Sequence, residues 1–410
     1  MKKISFIVFL LFFSIGKATT IHVRANFQVK KIKQALALAK DGDTILVHSG
    51  IYKEGTILIN KKIYFIGKNF PVLDGQNKKE VLSINADEVV VKGFKVINSG
   101  HAALNDPCGI RVYDKNNVTI QGNILDNNFF GIYLQNSTNC IVKNNVIKAY
   151  GKAEQLIGNG IHCWKSNNLQ IIGNKITGHR DGIYFEFVTQ SVIWRNIANN
   201  NIRYGLHFMF SNDDAYITNV FKNNGAGVAV MFTKNVKMFN NYFEENWGDS
   251  AYGLLLKEIA DSYIFNNRFA RNTSGIYMEG TSRIKVEKNS FESNGWGMKI
   301  QASCMENEIV NNNFLKNTFD ISTNGSLVLN TFNANYWDKY EGYDLDKDGM
   351  GDVPYHPLSL FAVLTENTPS SMLLYRSFMI TLLDKSEKVL PSITPDNFVD
   401  NKPLMKSLPL

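Results

Sequence analysis

Cysteine and proline are both scarce in this chain, with 4 cysteines and 9 prolines among 410 residues. The cysteines show neither the paired spacing of a zinc site nor the density of a disulfide-rich scaffold. A chain of this length builds a core large enough to fold without disulfides. The sequence therefore excludes the class of small disulfide-stapled proteins. The four cysteines are Cys108, Cys140, Cys163 and Cys304.

Long apolar runs are also rare, and neither of the two longest predicts a membrane span. Lys2-Lys3 precede an apolar run from Ile4 to Ile15, which is typical of a signal peptide over residues 1–18. We expect cleavage near Ala18 and export, to the periplasm of a Gram-negative host. The second run, 372–383, is interrupted by Arg376 and is too short to cross a bilayer.

Charge of one sign is not in large excess. The net charge of +7 is lowered further when the lysines of the signal peptide are removed. Such a mild excess does not predict a nucleic acid partner.

The dominant feature of the sequence is a repeat. A glycine followed by alternating apolar residues opens nine copies, and successive glycines are 22, 29, 22, 23, 22, 26, 22 and 22 residues apart. A period near 22 residues, broken by Gly and Asn, is typical of a solenoid with three short strands per coil. We predict an all-β fold, a single right-handed parallel β-helix over 19–357 with its regular coils over 109–335. The glycines are Gly109, Gly131, Gly160, Gly182, Gly205, Gly227, Gly253, Gly275 and Gly297.

Asparagine marks the same register, because it occupies the fourteenth position after every one of these glycines. Asparagine tolerates the left-handed backbone of a tight corner, and stacked copies can hydrogen-bond along the axis. We therefore predict an internal asparagine ladder at one corner of the solenoid. Its predicted members are Asn123, Asn145, Asn174, Asn196, Asn219, Asn241, Asn267, Asn289 and Asn311.

Three further features place the ends and insertions of the solenoid. Apolar residues at helical spacing between Phe27 and Lys40 predict an N-terminal capping helix. The two long intervals predict insertions at 149–159 and 247–252, which should emerge as surface loops. Short apolar segments between residues 44 and 91 predict first coils that are less regular than the nine.

An acidic turn over 344–352 follows the last coil. Asp344, Asp346, Asp348 and Asp352 alternate ahead of or around a glycine, as in loops that wrap oxygen ligands around calcium. Tyr355 stands where a full loop of this kind has a glutamate. The alternative, an acidic turn that closes the solenoid without metal, therefore stays open.

The C-terminal segment 358–410 combines an amphipathic helix, predicted over 369–383, with a proline-rich tail. Such a helix either packs on its own domain as a cap or docks on a partner. We expect docking on a membrane protein, through exposed apolar side chains of the helix. These are Leu373, Phe378, Met379 and Leu382.

Many parallel β-helices are polysaccharide lyases, hydrolases or epimerases, so a carbohydrate-active enzyme is the alternative function. Hydrolysis requires two carboxylates placed on either side of the scissile bond. Asp213-Asp214, Arg283-Ile284-Lys285 and residues 179–181 resemble fragments of such a set. Their offsets from the preceding glycines place the first two in turns, which weakens this alternative.

Outward-facing residues on the strand after each glycine suggest a metal site instead. Met209 and Met231 share an offset, so they should lie side by side on adjacent coils, with His207 two residues along and Glu186 one coil below. Thioether and imidazole groups are ligands for Cu(I). We predict an outward-facing, transient copper site. Two alternatives remain, an apolar docking surface or a one-residue shift that buries Met209 in the core.

Three stretches, 203–216, 335–357 and 369–378, closely resemble the NosD family of nitrous oxide reductase maturation proteins. The resemblance covers essentially the whole mature chain. It implies a periplasmic, non-catalytic subunit seated on an ABC transporter, with NosY as the membrane permease and NosF as the ATPase. This complex would help to assemble the copper-sulfur centre of nitrous oxide reductase, with the lipoprotein NosL as copper donor. The resemblance supplies no ligand list and leaves open whether the cargo is copper or sulfur.

Overall fold

The computed structural model describes residues 18–101, 106–249, 251–325, 329–389 and 398–410. The predicted signal peptide lies outside these residues except for Ala18. Three parallel sheets of 14, 12 and 13 strands run along the described chain, and each coil contributes one strand to each sheet. The predicted right-handed parallel β-helix is confirmed.

The strands of the three sheets follow one another in order along the chain. The first sheet contains Thr20–Val23, Thr44–Val47, Tyr64–Gly67, Val90–Lys92, Thr119–Gln121, Ile141–Lys143, Gln170–Ile172, Val192–Trp194, Ala215–Ile217, Lys237–Phe239, Tyr263–Phe265, Lys285–Glu287, Met305–Val310 and Leu329–Asn333. The second, which we call the glycine sheet, contains Ile57–Ile59, Leu82–Ile84, Cys108–Tyr113, Phe130–Gln135, Ile161–Trp164, Ile183–Glu186, Tyr204–Met209, Ala226–Lys234, Tyr252–Ala260, Ser274–Glu279, Trp296–Ile300 and Phe319–Ser322. The third contains Ile51–Tyr52, Val72–Asp74, Lys95–Ile97, Ile124–Asp126, Val146–Lys148, Lys175–Thr177, Ile197–Asn199, Val220–Lys222, Tyr242–Glu244, Arg268–Ala270, Ser290–Glu292, Asn313–Leu315 and Tyr336–Trp337.

The repeated glycines lie where successive coils approach most closely. A Cβ atom on Gly205 would lie 2.7 Å from the carbonyl oxygen of Gly227, and one on Gly227 would lie 2.3 Å from that of Gly253. Real Cβ atoms do not come this close to a carbonyl oxygen. Any larger residue would push the coils apart, which explains why glycine returns in every copy.

The predicted asparagine ladder is present and buried. Each side-chain Nδ2 donates to Oδ1 of the asparagine in the next coil at 2.9–3.1 Å. Eight predicted members are confirmed, but Asn311 is wrong, because Asn312 takes that place. One extra residue precedes this corner, as the pairing of Lys285 with Glu308 shows.

A second asparagine ladder lies at another corner and was not predicted. Its side chains are linked at 2.8–3.5 Å between successive coils. Between the two corners, aromatic rings stack in the core with centroids 4.2–5.5 Å apart. The ladder consists of Asn201, Asn224, Asn246, Asn272, Asn294 and Asn317, and the stack of Phe221, Phe243, Phe269, Phe291, Phe314 and Trp337.

The N-terminal end is closed by the α-helix Ile32–Leu38, shorter than the predicted 27–40, which buries Ile32, Ala35 and Leu36 against the first coils. The first predicted insertion, 149–159, is present as a loop that contains the short 3-10 helix Glu154–Leu156. Of the second, 247–252, residue 250 lies outside the described residues and Tyr252 already begins a strand. All four cysteines are buried and unpaired.

The C-terminal end is closed by the last residues of the chain, which return to the solenoid. Asp400 is fully buried and accepts hydrogen bonds from Asn335 Nδ2 at 3.0 Å, Ala334 N at 3.1 Å and Trp337 Nε1 at 3.1 Å. It thus extends the first asparagine ladder by one place. The predicted tail 358–410 therefore includes, over 398–410, a part that belongs to the closed end.

Helices lie between the acidic turn and this returning segment. They are the α-helix Leu360–Asn367, the 3-10 helix Pro369–Leu374 and the α-helix Phe378–Val389, so the helix predicted over 369–383 is divided. Leu373, Phe378, Met379 and Leu382 are 90%, 82%, 67% and 50% exposed. None of the helices in the described ranges is long and apolar enough to cross a membrane.

Candidate metal centre

The outer side of the glycine sheet carries the predicted copper ligands. Met209 is the direct register partner of Met231 on the next coil, and Glu186 is its partner on the preceding coil. All three side chains are half-buried. The adjacency of the two methionines is therefore confirmed, and the predicted alternative with Met209 in the core is wrong.

His207 differs from the prediction, because it is only 4% exposed. It lies on the outer side of the strand, but the rings of Tyr184 and Tyr204 cover it, with centroids 4.9 and 4.8 Å from the imidazole. Strand alternation predicts which side of the sheet a residue faces, whereas burial depends on the neighbouring rows.

A charged network holds His207 in place. Arg203 binds Asp181 through two contacts, Nε to Oδ1 at 3.1 Å and Nη2 to Oδ2 at 3.0 Å. His207 Nδ1 lies 3.1 Å from Arg203 Nη2 and 3.6 Å from Asp181 Oδ2. Burial alone would raise the pKa of the Asp181 carboxyl, but the hydrogen bond from His207 and the charge of Arg203 hold that pKa below its usual value.

The second imidazole nitrogen of this histidine is free. Nε2 of His207 is buried and has no hydrogen-bond partner. With its proton on Nδ1, directed at Asp181, the ring presents an unused lone pair at Nε2, as in carboxylate–histidine–metal arrangements. With its proton on Nε2, the ring instead accepts from Arg203 at Nδ1. Metal binding selects the first arrangement, because only an unprotonated nitrogen ligates.

Met209 is also tied to this cluster. The hydroxyl of Tyr184 donates to Sδ of Met209 at 3.6 Å. Burial raises the pKa of Tyr184 to about 12, so the hydroxyl keeps its proton at neutral pH. The imidazole of His207 and the thioether of Met209, two residues apart on one strand, thus both contact Tyr184 on the preceding coil.

The cluster ends a column of stacked side chains along the outer side of the glycine sheet. Arg111 packs 4.4 Å from the ring of Tyr133, which is followed by His162 at 4.4 Å and Tyr184 at 4.8 Å. Burial lowers the pKa of His162 to about 3, so this imidazole is neutral. The column makes the outer face here a second packed layer.

Sequence reasoning missed Asp181, Arg203 and Tyr184 as parts of this centre. Asp181 stands one residue before Gly182, and Arg203 two residues before Gly205, at positions that the outward-row argument did not include. The sequence offered one indication, because Asp181 is the only acidic residue that directly precedes any of the nine repeated glycines. The insertion at 149–159 also reaches the cluster, since Glu154 lies 4.0 Å from Arg203.

The acidic turn brings three of its four predicted ligands together. One oxygen from each of Asp344, Asp346 and Asp348 lies within 4.8 Å of the others. Asp352 instead accepts a hydrogen bond from Leu345 N at 2.7 Å and is not part of that group. The geometry accommodates a hard cation through three carboxylates.

The aspartates considered for carbohydrate chemistry at 213 and 214 form hydrogen bonds between the turns of adjacent coils. Asp214 is 2% exposed and accepts from Ser191 N at 2.7 Å, whereas Asp213 accepts from Asn235 Nδ2 at 2.7 Å. Arg283 pairs with Asp261 one coil below at 2.6 Å. These groups bind neighbouring coils and do not converge on a shared cleft.

A family model and a curated relative agree on one family for this chain. A family model described as "Periplasmic copper-binding protein (NosD)" matches residues 37–154 and 149–342. The "Probable ABC transporter binding protein NosD" of Pseudomonas aeruginosa is 26% identical over 390 residues, which are 90% of each chain. The protein of the same name from Stutzerimonas stutzeri is 30% identical over 113 residues, 27% of this chain and 26% of its own.

Similar solved structures show the fold alone, because their sequence identities are low. The Dettilon tailspike protein has a TM-score of 0.56 at 11% identity and covers 76% of this chain and 70% of its own. A family 28 exopolygalacturonase of Yersinia enterocolitica has a TM-score of 0.52 at 11% identity, over 77% of both chains. The family model spans most of the solenoid, and the chain belongs to the NosD family of periplasmic copper-binding proteins.

Proposed function

We propose that this protein is the non-catalytic periplasmic subunit of an ABC-transporter complex that delivers copper for the copper-sulfur centre of nitrous oxide reductase. The observation that carries the proposal is the free, buried Nε2 of His207 on the strand that also carries Met209, whose register partner is Met231. The matching relatives are described as ABC transporter binding proteins, which supports the link to a transporter. The partners we propose are the permease NosY, the ATPase NosF, the donor NosL and the reductase.

Copper enters this account as cargo, and Cu(I) is the form that the ligands suit. Two thioethers and one neutral imidazole are soft ligands without a thiolate, and they favour Cu(I) over hard cations. Such a set binds less tightly than a closed four-ligand cage, which suits an ion that must be passed on. Glu186, the register partner of Met209, would contribute charge at the solvent side.

The Asp181–Arg203 pair gives His207 a defined position in this site. Oδ2 of Asp181 lies 3.6 Å from Nδ1 and would stabilise the tautomer that leaves Nε2 unprotonated, whereas the closer Nη2 of Arg203, at 3.1 Å, favours the opposite tautomer. Copper binding would therefore transfer the Nδ1 contact from Arg203 to Asp181. Arg203 neutralises Asp181, so the cluster does not retain a hard, negatively charged ligand beside the thioethers. The cation preference of the site therefore comes from sulfur and imidazole.

The acidic turn is proposed as a structural calcium site, separate from the cargo path. Three clustered carboxylates repel one another in the absence of a cation, and a bound ion would fix the turn that precedes the returning C-terminal segment. Gly351 N donates to Pro403 O at 2.8 Å, which connects the turn to that segment.

The exposed C-terminal helices are proposed as the docking surface for the permease. Leu373 and Phe378 are almost fully solvent-exposed, which soluble surfaces seldom maintain over a contiguous patch. The substitutions Leu373→Ser and Phe378→Ser remove apolar surface without disturbing buried contacts. Leu345→Ser is the matched control, because Leu345 is 77% exposed but lies in the acidic turn.

The test is co-purification from detergent-solubilised membranes. We expect wild-type protein and the Leu345→Ser control to retain the permease and ATPase, and the double variant to lose them while keeping its melting temperature. Retention of both partners by the double variant would contradict the docking surface. Absence of any transporter subunit with wild-type protein would contradict the proposed function.

A further inference from the structure

Two histidines meet at the N-terminal end of the solenoid, far from the methionine pair. His22 lies on the first strand, Thr20–Val23, opposite Leu46, and His48 comes directly after the second strand, Thr44–Val47. Nδ1 of His22 and Nε2 of His48 are 3.0 Å apart, and the rings stack with centroids 5.3 Å apart and an interplanar angle of 26°. The two nitrogens therefore face each other at hydrogen-bond distance, close enough for both to reach one ion after a small movement of the rings.

The pair is held by its surroundings. The edge of Phe27 contacts both imidazoles, with centroid distances of 6.0 Å to His22 and 5.3 Å to His48. Both histidines line an open cavity of about 760 Å³, whose other walls include Val29 and Leu38. A ligand bound between the two nitrogens would thus face a mostly apolar cavity that water and small ligands can enter.

The nitrogen separation in the metal-free pair indicates which coordination geometry needs the least movement of the rings. With metal–nitrogen bonds of about 2.05 Å, a separation of 3.0 Å gives an N–metal–N angle of about 94°. Linear Cu(I) coordination would require about 4.1 Å between the nitrogens, and tetrahedral coordination about 3.3 Å, from the same bond length. An angle near 90° is the one that tetragonal Cu(II) or square-planar Ni(II) prefers.

We propose that His22 and His48 form a second metal site, which binds one divalent ion of the late first-row metals. Among these ions, Cu(II) should bind the two imidazoles most tightly. Imidazole affinity rises along the divalent series to Cu(II), which sets this order. Neither side chain is a member of the proposed Cu(I) centre, which lies eight coils, or about 38 Å, along the axis. The site therefore differs from that centre in oxidation state, geometry and location, and it stands independently of the proposed delivery function.

The surroundings also set its strength. The positive charges of Arg24 and Lys68 act on His48 and disfavour an added cation. In the described part of the chain, no carboxylate is among the charged groups that act on His48 and could offset them. With two imidazoles and water or a cavity-bound ligand completing the coordination, the site should bind Cu(II) reversibly and not as a permanent structural metal.

The test uses the metal-free full mature chain titrated with Cu(II), and with Ni(II) in parallel, followed by calorimetry and electron paramagnetic resonance. Variants His22→Gln and His48→Gln each remove one imidazole. His101→Gln is the matched control, because His101 is also exposed but lies against Phe129. The double variant Met209→Leu with Met231→Leu separates this site from the proposed Cu(I) centre.

We expect one equivalent of Cu(II) with nitrogen couplings from two imidazoles in the wild type, the control and the methionine variant. Each glutamine variant should weaken Cu(II) binding at least tenfold and lose the coupling of one nitrogen, at an unchanged melting temperature. Equal affinity in wild type and both glutamine variants, or a spectrum without two coupled imidazoles, would overturn the proposal. In that case the 3.0 Å contact is a hydrogen bond between neutral histidines.

Discussion

Replacing Asp214 by asparagine should stabilise the protein at neutral pH and have little effect in mild acid. Asp214 lies 2% exposed in a corner of the solenoid, and its Oδ2 has no hydrogen-bond partner. Burial raises its pKa from 3.8 to about 8, opposed by the hydrogen bond from Ser191 N and supported by the charge of Asp213. The folded protein therefore keeps this carboxyl protonated at pH 7.

The sign and size follow from proton linkage. Between pH 3.8 and 8 the folded state binds a proton that the unfolded state has released, so stability falls as pH rises through this window. At pH 7 the accumulated loss is about 4 kcal/mol, at about 1.4 kcal/mol for each pH unit above the unfolded pKa. Asparagine keeps an oxygen for Ser191 N and does not ionise, so it removes this loss.

The assay is urea unfolding of wild type and Asp214→Asn at pH 4.5 and 7.5. We expect the free energies of unfolding to differ by about 1 kcal/mol at the lower pH and by several kcal/mol at the higher, in favour of the variant. Asp114→Asn is the control, since Asp114 is exposed on a different coil, accepts a hydrogen bond from Asn136 Nδ2 as Asp213 does from Asn235, and has a φ of 48° that asparagine tolerates. A difference between variant and wild type that is the same at both pH values would refute the reasoning.

Three further predictions concern the first asparagine ladder, the closed C-terminal end and the acidic turn. Asn219→Leu leaves Asn196 N without its acceptor and should lower the free energy of unfolding by about 2–4 kcal/mol. The outward-facing control Asn199→Leu should change that free energy by under about 1 kcal/mol. Equal urea midpoints for the two variants would contradict the ladder's role. Asp400→Ala removes the acceptor of four buried donors at the end of that ladder, so we expect a loss of about 3 kcal/mol or more in the same assay. An unchanged midpoint would show that the returning segment is not part of the closed end. Calcium should raise the melting temperature of the wild type but not of Asp346→Asn, and a wild type that does not respond to calcium would exclude the metal in the acidic turn.

The repeat made most of the fold predictable. The repeated glycine marks a close approach of two coils, and the repeated asparagine marks a corner. Both features belong to a single coil and recur in every regular coil, so the repeat reveals them. The single error in the first ladder, Asn311 for Asn312, arose where three asparagines follow one another and an extra residue had shifted the offset. Periodicity alone does not reveal such a shift.

The closed C-terminal end was not predictable in the same way. Asp400 binds Asn335, 65 residues earlier, through a contact that occurs once and leaves no periodic pattern. The C-terminal helix was predicted from apolar spacing, but its interruption at Arg376, which has a φ of 64°, depends on packing against the last coils.

The candidate centre was predictable in part. Strand alternation and equal offsets correctly placed Met209 beside Met231, because both follow from register. The burial of His207 and its contacts to Asp181 and Arg203 depend on residues before the glycines, where the chain bends and alternation no longer applies. The sequence pattern predicts which strand position and which side of the sheet a side chain occupies, but it does not predict which neighbouring side chains bury it.

The central claim, a Cu(I) centre at the methionine pair, is tested most directly by anaerobic Cu(I) titration against a competing chelator. The variant is Met209→Leu with Met231→Leu, which nearly preserves volume. The control is Met305→Leu, because Met305 is 45% exposed at a site without a nearby methionine partner in the strand register. The account predicts that the double variant binds Cu(I) at least tenfold more weakly than wild type and the control, with an unchanged melting temperature. Wild-type Cu(I) affinity in the double variant would contradict it and leave the two methionines as part of a packing surface.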